Sequence, residues 1–484
     1  MTSQIAILIG MIIYSCLMFG VSIFWMRRVK KTTDYLVGGR GLPYWVLTGT
    51  IIATCIGTGV IIGGSGLAYR YGWAGSAYAI GIGLGTVLTG FLYAKMRRYK
   101  FITLGEEVSS YYEGNRIVVE FANIGVFLSQ ICWLTVQIMG GTAVLSAVTK
   151  LQPEVCTVLS GFIIAMISIP GGLKTVVYTD FLQAIILLVG FGILAQTAIA
   201  NAGGISGIEA SVPREYFSFL GFSSYGAWAV ISLILTLILS VVADPGRRQT
   251  IFSAYSEKGA KWSMIAAGII VTIFSGVIGL TGMYAYKLNP HLASPDQCLP
   301  WLIMNVMPPW LAAVVVVSVA SAVYSSANGT AIAAGTFFIR HIYPLVTGKF
   351  VKRPLVAIRR TLAVAFIVST AIALHGGTIV GFVIKFLPLT MSGLAVIVLF
   401  GRFWKRGTWQ GALAAMIITP LVSIVIMIIP GQAGFWKNPI IPATVAGTLA
   451  HIIVSLITPL PSHSFETIAE RLQLERQFIE EEIQ

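Results

Sequence analysis

The sequence predicts an all-α integral membrane protein of about thirteen transmembrane helices, and three observations carry that prediction. Of 484 residues, 56% are hydrophobic and only 10% are charged, against about 25% charged in an ordinary soluble domain. The mean hydropathy is +0.85, more than a water-facing surface can supply. Thirteen apolar stretches, most near the roughly 20 residues needed to cross a hydrocarbon core, alternate with short polar links: 4–26, 44–66, 74–95, 117–148, 155–172, 175–200, 225–243, 262–286, 309–342, 356–376, 378–402, 408–430 and 439–460. A soluble domain and a disordered scaffold are excluded on composition.

The first stretch, apolar from Ile5 to Trp25, lacks a basic leader and is followed by Arg27, Arg28, Lys30 and Lys31. It therefore reads as a membrane helix and not as a cleaved signal. Basic residues also set orientation, because Lys and Arg collect in cytoplasmic links. In a thirteen-span topology, 26 of the 32 Lys and Arg fall on one side. The N-terminus is then expected outside, and the C-terminus, with its amphipathic tail 464–484, in the cytoplasm. The net charge of +14 is thus topology, and no nucleic-acid partner is expected.

Five cysteines, Cys16, Cys55, Cys132, Cys156 and Cys298, show no CxxC spacing, and the five histidines show no HExxH pattern. Neither a metal ribbon nor a disulfide framework is supported, and no nucleophile, base and orienting group stand together as an enzyme would need. What the sequence does show is weakened helix at membrane depth, which is tolerated where it lines a cavity. The second span carries Gly57, Gly59, Gly63, Gly64 and Gly66 beside Thr54 and Thr58. One or two such glycines would serve close helix packing; five with adjacent hydroxyls predict an unwound turn facing a ligand.

The ninth span carries Ser318, Ser321, Ser325, Ser326, Asn328 and Thr330 among valines and alanines. Ser318, Ala322 and Ser325 share a helix face, and the hydroxyls offer the hard oxygen donors that a small cation prefers. Asp180 is the clearest ionisable side chain inside an apolar stretch, so it is a functional candidate; an interfacial helix start is the alternative. Asp244, in Ala243-Asp-Pro-Gly-Arg-Arg248, is expected at the cytoplasmic rim in a salt bridge with the adjacent arginines.

These residues together resemble the sodium:solute symporter family. The resemblance is carried by Asp34-Tyr-Leu-Val-Gly-Gly-Arg-Gly-Leu-Pro43, by Gly171-Gly-Leu-Lys-Thr-Val-Val-Tyr-Thr-Asp-Phe-Leu-Gln183, by Ala322-Val-Tyr-Ser-Ser-Ala-Asn328, and by Phe403-Trp-Lys-Arg406 with Gly407-Thr-Trp-Gln-Gly-Ala412. It implies a LeuT-like inverted-repeat fold of five plus five helices. Residues 44–200 would pair with 225–402, after an extra N-terminal helix (4–26) and before two C-terminal helices (408–460) and the tail 461–484.

The resemblance further implies sodium as the coupling ion, held by the carbonyls of Ala53, Ile56 and Ala322 and the hydroxyls of Ser325 and Ser326. Asp180 matches a ligand of a second sodium in some members, but Asn328 and Gly329 stand where its hydroxyl partners would be, which favours one sodium per cycle. Sugar carriers present Glu, Asn, Tyr and Gln where this chain has Gly72, Leu237, Ser240 and Ile384, so a sugar is disfavoured. The segments 63–71 and 133–141 look closer to the pantothenate and proline branches. Thr54, Cys55, Thr58, Gln137, Ser240 and Lys385 are the substrate-facing candidates, with Lys385 balancing a carboxylate. The expectation is import of a small carboxylate or amino acid, with no obligate protein partner. The alternatives are a cationic amine such as choline, or a membrane sensor, for which the tail is too short to hold a signalling domain. A channel would need rings of like residues from repeated subunits, and none is suggested.

Overall fold

A computed structural model describes residues 3–26, 41–169, 173–349, 351 and 353–482. Positions 34–40 of the first family-like motif, 171–172 of the second, and the basic residues Arg27, Arg28, Lys30, Lys31, Arg40 and Lys352 lie outside them.

Ten described helices are long and apolar enough to cross a membrane alone, and an eleventh span follows if the bent pair Ile379–Thr390 and Ser392–Phe403 is one crossing. Two shorter apolar helices, Tyr44–Cys55 and Pro153–Ser168, account for the remaining predicted stretches. In chain order the elements used below are α1 (Ser3–Met26), α2 (Tyr44–Cys55), α3 (Ser65–Tyr71), α4 (Ser76–Tyr93), α5 (Leu104–Tyr111), α6 (Arg116–Thr149), α7 (Pro153–Ser168), α8 (Leu173–Ala202), α9 (Ala227–Val242), α10 (Pro245–Ser253), α11 (Glu257–Leu288), α12 (Cys298–Val306), α13 (Pro309–Phe337), α14 (Pro354–Ala373), α15 (Ile379–Thr390) and α16 (Ser392–Phe403). After them come α17 (Trp409–Ile428), α18 (Ile440–Ile457) and α19 (Phe465–Glu482).

Local chemistry explains where several of these begin and bend. Proline occupies the first turn of α7, α10, α13 and α14, where its missing N–H costs no intrahelical bond. Pro388 lies inside α15 just before the 49° bend into α16, as expected where a proline removes a ladder bond. The second span is interrupted as its glycines predict: Ile56 leaves helical geometry at φ −85° and ψ 57°, and the chain rewinds through a wide turn, Gly59–Gly64, into α3.

The seventh span stops at its expected end near residue 243, but a helix and not a loop follows. It breaks at Ala243 (φ −93°, ψ 0°) and continues as α10, with Asp244 in extended geometry as the N-cap. The cause is local. The Asp244 carboxylate accepts the Arg247 N–H at 3.0 Å, so Asp-Pro starts a new helix where the apolar pattern alone reads a loop.

Close approach through small residues organises the centre. Gly83 of α4 and Gly268 of α11 face each other so tightly that a Cβ on Gly268 would stand 2.6 Å from the Gly83 carbonyl; no larger residue fits such a crossing. Helix α1 is fastened to this body by polar contacts. Tyr14 accepts hydrogen bonds from Ser321 at 2.7 Å and from Gln183 at 2.9 Å, and its ring stacks on Tyr324. Outward, Ile13, Phe162, Ile273, Ile367 and Ile428 are among many exposed large apolar side chains, the outer surface expected of helices solvated by lipid.

Candidate transport site

The interruption in the second span meets α13. There the Ser325 hydroxyl donates to the Ala53 carbonyl at 2.9 Å and to the Ala322 carbonyl at 3.2 Å, while Ser326 donates to the Thr54 carbonyl at 3.2 Å. The last carbonyls of a helix lack intrahelical donors, so the end of α2 naturally offers oxygens to whatever packs beside it. Gly57 is required here because a Cβ on it would collide with the Ser326 hydroxyl. Ala53, Ala322, Ser325 and Ser326 thus gather at one buried junction, and Ile56 caps the helix that ends there. The result is a set of hard oxygens of the kind that suits an alkali cation better than a transition metal.

Beside this junction lies a cavity of about 80 Å³. Thr54, Cys55, Gln137, Asp180 and Ser326 line it together with Tyr78, Trp133, Asp244 and Arg247. Thr58 is fully buried next to it and its N–H donates to Gln137 Oε1 at 3.4 Å. Cys55 is buried with its thiol 3.4 Å from Thr86 Oγ1.

The cavity wall holds polar atoms with no protein partner: the Tyr78 hydroxyl, Trp133 Nε1, Arg247 Nε, and both carboxylate oxygens of Asp180. Asp180 is completely buried, so it is no interfacial helix start. Arg247 donates to Thr54 Oγ1 at 2.5 Å and shares the cavity with Asp180, yet no ion pair joins them among the described residues. Buried polar groups are nearly always paired, so these five orphan atoms facing one cavity mark it as a place where something else supplies the partners.

Three expectations are corrected. Lys385 is exposed and lies outside this cavity, because α15 turns Phe382, Val383 and Leu387 inward and leaves Lys385 on the opposite face. Ser240 is buried, but its hydroxyl bonds back to the Leu237 carbonyl at 2.8 Å and does not reach the cavity wall, a common fate of helical serines. Among the described residues Asp244 forms no salt bridge; it caps α10, and the two arginines turn elsewhere. Asn328, which stands where a hydroxyl partner of a second sodium would be, accepts a hydrogen bond from Ser168 at 2.6 Å. Arg247 is the residue that sequence reasoning missed. The Asp-Pro pair at 244–245 carried the signal, since it starts a helix and so swings the following residues inward.

The neighbouring Arg248 takes a different place. Its guanidinium pairs with Glu107 at 3.0 Å with both side chains fully buried and stacks 3.5 Å over the Tyr93 ring. Burial pushes the Glu107 carboxyl up, while Arg248 and the Tyr111 hydroxyl draw it down. At the opposite end, Ile379 and Val380 at the start of α15 press against Gly63. Asp296 accepts the Ile379 N–H at 2.9 Å. Burial raises the Asp296 carboxyl to about 6, against the pull of that N–H and of Arg70.

Helices interrupted at membrane depth around an oxygen cluster and a charged cavity define a multi-pass secondary transporter. The fold agrees: a Na+-coupled sialic acid symporter, solved substrate-bound and outward-open, superposes with a TM-score of 0.81 at 19% identity, covering 96% of this chain and 99% of that one. The chain belongs to the sodium:solute symporter family, whose model matches residues 35–419. It is accordingly a sodium-coupled symporter and not an enzyme. The sodium/pantothenate symporter of Escherichia coli (strain K12) is 25% identical over 468 residues, covering 93% of this chain and 96% of that protein. The high affinity choline transporter 1 of Homo sapiens is 26% identical over 443 residues, covering 85% and 75%.

Proposed function

We propose that the protein imports a small carboxylate-bearing solute or amino acid together with one sodium ion, across a cell membrane in which its N-terminus is outside and its C-terminus cytoplasmic. The observation that carries the solute class is the set of orphans on the cavity wall. Tyr78, Trp133 and Arg247 present donors without acceptors, and a carboxylate supplies acceptors to all three kinds of group. The Asp180 oxygens present the converse, acceptors that a cation or an ammonium group would satisfy. Arg247 takes the role expected of Lys385. The pantothenate-transporting relative supports a carboxylate.

Sodium, in this reading, binds where α2 ends against α13, through Ala53, Ile56 and Ala322 carbonyls and the Ser325 and Ser326 hydroxyls. Binding there ties the broken helix to α13, so sodium raises solute affinity and the solute tightens sodium in return. The two interruptions, at Ile56 and at Ala243–Asp244, support pairing 44–200 with 225–402 as inverted repeats that rock about the site. Each inward charge gains about 2.3 kcal/mol per 100 mV of membrane potential, so no nucleotide is needed.

A cationic amine is the second reading, favoured by Asp180 lying in one cavity with the Tyr78 and Trp133 rings. Uptake into proteoliposomes under an inward sodium gradient, screened with monocarboxylates, amino acids and quaternary amines, decides between them. Competition by quaternary amines but not by carboxylates overturns the proposal. In the same assay Ser325→Ala and Ser326→Ala should raise the sodium concentration for half-maximal uptake, each by a loss of about 1–3 kcal/mol. Uptake that persists when potassium replaces sodium sinks the ion site, and a sigmoidal sodium dependence sinks the one-ion stoichiometry, leaving Asp180 as a second sodium ligand.

A further inference from the structure

A second cavity opens away from the transport site, between α6, α14 and the segment following α13. It is a groove of about 1000 Å³. Ile131 and Phe338 form part of its floor, and Val364, Val368 and Ile372 of α14 continue it. Lys349, Arg353 and Arg360 stand along one end with Tyr343. All three cations are exposed, and among the described residues no ion pair involves any of them.

The spacing along α14 gives the groove a direction. Arg360, Val364, Val368 and Ile372 recur every four residues and so form one stripe. From Arg360 to Ile372 the helix rises about 18 Å at ~1.5 Å per residue, close to half of a hydrocarbon core about 30 Å thick. The groove therefore has the depth of one leaflet, with charge at headgroup level and apolar wall toward the midplane. Lys and Arg gather on that side for topological reasons, but topology does not require three of them to meet at the mouth of an interhelical groove. Lys258 and Lys405 are equally exposed and line no part of it.

We infer that this groove binds an anionic phospholipid from the Lys- and Arg-rich leaflet. Its phosphate and headgroup sit among Lys349, Arg353 and Arg360, with the Tyr343 hydroxyl as a further donor, and one acyl chain lies along Val364, Val368 and Ile372. Basic pockets between membrane helices recognise acidic headgroups by this combination of charge and apolar wall. Because α14 packs on α6 and α7, the lipid braces that helix group from outside.

Native mass spectrometry of the purified full-length protein tests this without reference to transport, so its outcome is separable from that of the symport proposal. Dioleoyl phosphatidylglycerol should give stable adducts at concentrations where dioleoyl phosphatidylcholine does not. The triple variant Lys349→Ala/Arg353→Ala/Arg360→Ala should weaken phosphatidylglycerol binding by at least about 10-fold, and the charge-matched triple Arg116→Ala/Lys258→Ala/Lys405→Ala should not. Val364→Trp keeps every charge but fills the acyl channel, and should also reduce adducts. Equal binding of the two lipids, equal loss in the control triple, undiminished binding to Val364→Trp, or displacement of the lipid by glycerol phosphate at equal concentration would each overturn the inference.

Discussion

Arg247 and Arg248 are adjacent in sequence, lie on the same short helix, and serve two different regions. Successive residues of a helix point about 100° apart, so one reaches the transport cavity and the other the hub formed by α5 and α4. At the hub, Arg248 meets a carboxylate and an aromatic face, both fully buried. Each guanidinium keeps nitrogens without a hydrogen-bond partner, Nε of Arg247 and both terminal nitrogens of Arg248, but at the cavity Arg247 donates to the neutral Thr54 hydroxyl and, among the described residues, has no ion pair. The difference teaches how to separate scaffold from site when both are buried and charged. A buried charge whose counter-charge comes from the protein fixes the fold, and a buried charge left without a counter-charge awaits a ligand.

The sharpest way to break this comparison is to remove each arginine. Arg248→Ala strands Glu107 uncompensated and should cost about 3–5 kcal/mol, seen as loss of monodisperse protein in size-exclusion chromatography. The paired change Glu107→Leu/Arg248→Met should recover most of the folded yield, since apolar replacement of a buried pair is often neutral. Arg247→Ala should leave the elution profile intact and weaken solute binding by about 1.5–3 kcal/mol, the range for hydrogen bonds to charged groups, measured as a rise in half-saturating solute. Arg247→Lys should keep part of the affinity. If Arg247→Ala unfolds the protein and Arg248→Ala does not, the assignment of the two roles is reversed.

Asp296 sharpens the contrast from the opposite end, as a buried acid with one backbone donor. Burial raises it to about 6 from the ordinary aspartate value of 3.8. Its contribution to stability is therefore complete below about pH 4 and lost as the pH rises through about 6. Thermal unfolding should show Asp296→Asn flattening that part of the pH profile. The smallest effect is expected at Lys385. As an exposed residue outside the cavity, Lys385→Ala should change stability by less than about 0.5 kcal/mol and leave sodium-driven uptake as it was; a large loss of uptake would return Lys385 to the site.

The sequence by itself determined the helices, the membrane and the family. Apolar length is read directly from composition, because a span must satisfy its backbone internally and so announces itself as a run of about 20 apolar residues. The glycines around Gly57 and the serines of α13 were legible for the same reason, as local departures from a good apolar helix. Tertiary structure decided which polar side chains share a cavity. Lys385 lies within an apolar stretch and Arg247 just beyond one, and although the Asp-Pro pair at 244–245 signals a helix start, it does not say which of these cations faces the cavity. Their fates depend on which face of a helix another helix covers: α15 turns Lys385 away from the cavity, whereas the break at Ala243–Asp244 rotates Arg247 into it. A rotation of that kind arises from the capping geometry of Asp244 and the packing of α10 beside α2, contacts between residues nearly 200 positions apart, and so it is settled only when the chain is folded.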